Sequence, residues 1–104
     1  MKYLYESRYG TITEINDNHE VNDIFLSPLE CKMVEVLCNG ITNSWDDITE
    51  YMYGFKVDTS KRTNNFRNHY MTRSIKSRLL EKIKLNILNV RGYGLRLLDE
   101  IYIR

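Results

Sequence analysis

The sequence predicts an α+β fold in which a small antiparallel sheet is followed by three helices and a C-terminal β-hairpin. Three observations carry that expectation. Residues 2–26 are rich in Tyr, Ile and Thr, which suit a pleated surface, and "NDN" at 16–18 is turn chemistry. Two serine-led helix starts stand at "SPLE" and "SWDD". The stretch "NILNVRGYGLRLL" at 86–98 sets two alternating apolar arms around a glycine-rich tip.

The length of 104 residues suits one compact domain with a real but modest core. Its first 26 residues are expected to form the sheet and residues 27–104 the helices and hairpin. In the first helix Ser27 caps, Pro28 takes the first helical position and Glu30 completes a capping box. Cys31, Val34, Leu37 and Cys38 then form one apolar stripe, and Gly40 stops the helix. The second helix starts at Ser44, with Asp47 three residues on. Ile48, Met52 and Tyr53 give its apolar face before Gly54. Residues 55–63 are polar and turn-prone, an exposed connection.

A third helix is expected from about Thr63 to about Leu80, with Met71, Ile75 and Leu79 as its inner seam. At 100° per residue the opposite side carries Phe66, Tyr70, Arg73, Ser74 and Ser77, flanked by Arg67 and His69. Leu88, Val90, Leu95 and Leu97 are expected to bury the hairpin arms and so hold its tip rigidly.

The net charge of +1 hides an asymmetry. Residues 1–60 carry four Lys/Arg against eleven acids, and residues 61–104 carry eleven Lys/Arg against three. Such polarity points to a polyanionic partner, or else to a solvated basic helix near the C-terminus. Cys31 and Cys38 form no CxxC and have no His at ligand spacing, so neither a disulfide nor a zinc site is expected. They suit a reducing cytoplasm, and no apolar run approaches the roughly 18 residues that span a bilayer. An enzyme is not expected: His19 and His69 stand in unrelated contexts, and no nucleophile constellation or phosphate loop appears. No cofactor is expected.

Three helices followed by a hairpin is the plan of a winged helix-turn-helix. The chain from Phe25 to Leu98 resembles the DNA-binding domain of the OmpR/PhoB family of bacterial transcription regulators. The motifs are "LSPLE" at 26–30 for the family's Leu-Thr-Pro-x-Glu, and "MYG" at 52–54 for its apolar-Trp-Gly. "IKSRL" at 75–79 stands for Leu-Arg-x-Lys-Leu, and "RGYGLRL" at 91–97 for the wing's Arg-Gly-x-Gly-Tyr-Arg-Leu. The chain departs where the family's helix opens Arg-Thr-Val-x-Val-His-Ile. Here "RT" stands at 62–63, too far from Ile75 without extra residues, and Met71 takes the place of the family histidine.

The resemblance implies sequence-specific binding to double-stranded DNA in transcriptional regulation, with the recognition helix in the major groove and the wing at the adjacent minor groove. Tyr70, Arg73 and Ser74 would face the groove, with Arg67, His69 and Ser77 beside them. Arg73 would contact phosphate or pair with guanine. Lys76 would contact phosphate or acids of the first half, Arg91 would reach the minor groove or its phosphates, and Tyr93 would pack on the sugar–phosphate wall. Phe55, Lys56 and Lys61 fall in a loop that touches RNA polymerase in relatives. A tandem dimer on DNA is implied in the same way. The resemblance leaves two arrangements open: a stand-alone cytoplasmic regulator, or the cytoplasmic domain of a ToxR-like inner-membrane activator, in which a membrane segment would follow Arg104. The rival expectation is a winged helix whose basic face docks an acidic protein.

Overall fold

The computed structural model describes residues 1–54 and 62–104, with 62–68 described by backbone only. Strands β1 (Lys2–Glu6), β2 (Thr11–Ile15) and β3 (Val21–Phe25) form an antiparallel meander. Tyr3, Tyr5 and Ile12 turn inward from it and are buried. A strand that the sequence did not announce, β7 (Ile101–Ile103), adds to β1 in parallel, giving the order β3-β2-β1-β7. Three residues are too few to show a period, so only the pairing itself reveals this strand.

Helix α1 (Pro28–Leu37) opens on the expected capping box. Ser27 Oγ accepts from the Glu30 N–H, and the Ser27 N–H donates to Glu30 Oε1 at 2.7 Å. Its buried face is Glu30, Met33, Val34 and Leu37, while Cys31 and Cys38 are half-buried free thiols. Burial, with the charge of Glu35 added, pushes the Cys38 thiol up to about 11. The two-residue strand β4 (Asn43–Ser44) leads into α2 (Trp45–Tyr53), capped by Ser44 and closed by Gly54 at φ +75°. Trp45, Ile48, Thr49 and Met52 are its buried residues.

Helix α3 (Arg62–Lys82) crosses both. Ile75 and Leu79 are buried as expected, but Met71 is 45% exposed, and the seam runs Thr72, Ile75, Leu79, Ile83. Repeated steps of four rotate by 40° each and carry Met71 off the stripe, whereas 72, 75, 79 and 83 stay within one face. The interior position goes to Thr72, whose hydroxyl meets that of Thr49 at 2.8 Å.

The hairpin is β5 (Ile87–Val90) and β6 (Gly94–Leu97), and β4 pairs with β6 to make the sheet β4-β6-β5. Leu95 and Leu97 are buried as expected, but Leu88 is 47% exposed and Val90 only half-buried. The register pairs Ile87 with Leu97 and Asn89 with Leu95, so Leu88 shares the other face with Arg96. A phase error of one residue moves a strand's whole set of side chains to the opposite face.

Candidate nucleic-acid interface

The tip of the hairpin is built on its two glycines. Gly92 adopts φ +74°, which an L side chain rarely tolerates. Gly94 is needed for a different reason: a Cβ there would stand 1.8 Å from the Asn43 carbonyl oxygen. The absent side chain lets β6 lie directly against β4, where Ser44 pairs with Gly94. The next residue, Trp45, donates its backbone N–H to the Tyr93 carbonyl at 2.9 Å. The wing tip is thus fixed to the first turn of α2.

That same turn also grips α3. His69 Nε2 lies 2.6 Å from Asp46 Oδ1, and the Arg73 guanidinium lies 4.8 Å above the Trp45 ring. The result is a cleft of about 350 Å³ between α3 and the wing, lined by Ser44, Trp45, Asp46, His69, Arg73, Gly92 and Tyr93.

Around this cleft the side chains expected at the site divide. Tyr70 is 68% exposed and Arg73 is exposed, both on the side away from the buried seam. Ser74 is half-buried. Ser77 is exposed, but its hydroxyl donates to the Arg73 carbonyl at 3.2 Å. Lys76 lies near the edge of the buried seam and is half-buried, and His69 is turned to Asp46. Arg91 and Tyr93 are exposed at the wing tip. The side chains of Phe66 and Arg67, and the loop residues Phe55, Lys56 and Lys61, lie outside the described residues.

Sequence reasoning passed over Trp45 and Asp46, the two residues through which α2 joins the cleft. A signal existed: the chain's single tryptophan directly follows a capping serine. Among the described residues no cluster of His, Cys, Asp or Glu could hold a metal ion. No helix there is long and apolar enough to cross a membrane.

An N-terminal sheet, three helices and a C-terminal hairpin tied to the start of the second helix define a winged helix-turn-helix fold. Among solved structures, the chain is similar to the crystal structure of the DNA-binding domain of Bacillus subtilis CssR. The TM-score is 0.59 at 19% identity, over 83% of this chain and 99% of that one. No protein-family model and no curated protein matches the sequence.

Proposed function

We propose that this chain binds double-stranded DNA sequence-specifically as a transcriptional regulator, with α3 in the major groove and the β5–β6 wing at the neighbouring minor groove. The observation that carries the reading is that the exposed face of α3 and the cationic hairpin tip border one cleft and are tied to the same turn of α2. A helix and a finger held at fixed spacing suit two adjacent grooves of a duplex.

Two further facts support it. The fold is like that of a protein domain described as DNA-binding. The positive charge is concentrated in residues 61–104, which include α3 and the wing. Tyr70 and Ser74 then face base edges, Arg73 and Arg91 meet phosphates, and Tyr93 lies along the backbone wall. Ser77 stands beside them, with His69 and Lys76 at the flank. Most protein–DNA hydrogen bonds position rather than specify, which fits the assignment of Arg73 and Arg91 to phosphates.

Amide chemical-shift mapping with a short duplex tests the reading. The largest changes are expected at 69–77 and 91–94, with the strands β1–β3 little changed. Perturbation centred on the sheet, or none at all, refutes it.

A further inference from the structure

Trp45 lies at the centre of the cleft, 6% exposed, with a different contact in each direction. Its N–H holds the wing tip through the Tyr93 carbonyl, its ring underlies Arg73, and the His69 ring lies 6.5 Å away at 37°. Building on the DNA-binding reading, we propose that Trp45 is a positioning residue: it holds the Arg73 guanidinium flat at the mouth of the α3–wing cleft, where that group clamps a backbone phosphate rather than reading a base.

The chemistry follows from the stacking. A guanidinium held over an indole has one side covered by the ring, which leaves N–H donors on its uncovered edge free to meet an anion. That fork matches two oxygens of one phosphate. The group lies over the first residue of α2, beside the wing tip, whereas Tyr70 stands exposed three residues earlier on α3.

A carboxylate nearby would compete for Arg73, and Asp46 is in the same cleft. His69 engages Asp46 Oδ1 at 2.6 Å. Among the described residues Arg73 forms no ion pair, so its charge remains available to an incoming anion. Trp45 therefore sets both the spacing of the wing, through its backbone, and the aim of Arg73, through its ring.

The test uses the full chain and a random-sequence duplex, with affinity measured by fluorescence anisotropy across a salt series. Arg73→Ala is expected to weaken binding about tenfold and lower the salt slope by about one phosphate. Trp45→Leu should do much the same, the double variant should bind no worse than Arg73→Ala alone, and Trp45→Phe should restore most of the affinity. Arg73→Lys keeps the charge but lacks the planar fork, so it should still bind several-fold more weakly than wild type. It leaves the core untouched and decides the matter if Trp45→Leu does not fold. The emission of the single tryptophan should also change in Arg73→Ala.

Independent, multiplying losses from the two single variants overturn the proposal, as does wild-type binding by Arg73→Lys. Weakened binding by Arg73→Ala together with wild-type binding by Trp45→Leu refutes the role of Trp45 alone. No duplex binding by the wild type at any salt refutes the DNA reading and this inference with it.

Discussion

Lys82 Nζ donates to Glu30 Oε1 at 2.6 Å and to the Phe25 carbonyl at 3.3 Å, joining the last turn of α3 to the start of α1 and the end of β3. Glu30 is almost wholly buried, whereas the Lys82 side chain is 41% exposed. Lys82→Met should cost on the order of 2 kcal/mol in urea unfolding. The loss falls below that of a fully buried pair because the Ser27 N–H still holds the carboxylate.

The same pair predicts an acid dependence. Burial opposes ionisation of Glu30, but the Lys82 ammonium and the bonds to Ser27 outweigh it, leaving the carboxyl below its ordinary range. A depressed folded value contributes stability that is complete above the unfolded value of about 4.3 and is lost as pH falls through the folded one. Thermal melts from pH 7 down to pH 3 should therefore show a smaller drop for Lys82→Met than for wild type.

The two wing glycines should differ in cost. Gly94→Ala drives a methyl into the Asn43 carbonyl, a backbone atom that cannot yield cheaply, and should cost about 3 kcal/mol. Gly92→Ala meets open space and only a strained φ, so about 1 kcal/mol is expected. Equal losses in denaturant melts would contradict the close approach of β6 to β4.

Asp46 places a negative charge in the cleft where phosphate is to enter. Asp46→Asn should raise duplex affinity a few-fold at low salt, with the gain shrinking as salt rises. It should also lower stability by about 0.5 kcal/mol, because the carboxylate favours the first turn of α2. Unchanged or weaker binding in anisotropy titrations would remove the cleft from the interface.

Tyr70 and Arg91 should separate specificity from affinity. Tyr70→Ala is expected to relax preference at one position of a selected site by about 1–3 kcal/mol. Arg91→Ala should weaken all sequences alike. A selection experiment on both variants, starting from a randomised duplex pool, distinguishes the two effects.

How far these features were legible in the chain varies with their physical origin. The capping box of α1, the Ser44 cap and the RGYG tip are local, so short-range chemistry announces them. The side of α3 that carries Tyr70 and Arg73 follows from periodicity alone. Met71 and Leu88 were misassigned because apolar residues two or four apart leave the phase open. Thr72 holds an interior place in α3, where its hydroxyl meets that of Thr49, 23 residues away in the chain. β7 exists because β1 offers a free edge, a fact encoded a hundred residues away. The role of Trp45 depends on its contacts with Tyr93 and Arg73, at separations of 48 and 28 residues, beyond the reach of any local pattern.

The central claim is that the α3–wing surface binds a duplex through its phosphates. The most direct measurement is the affinity of the wild-type chain for a random duplex as salt is raised from about 50 to 200 mM. The account predicts clear binding at low salt that falls linearly on logarithmic axes, with a slope corresponding to several phosphates. No binding at the lowest salt, or an affinity indifferent to salt, would contradict it and favour an acidic protein as the partner of this face.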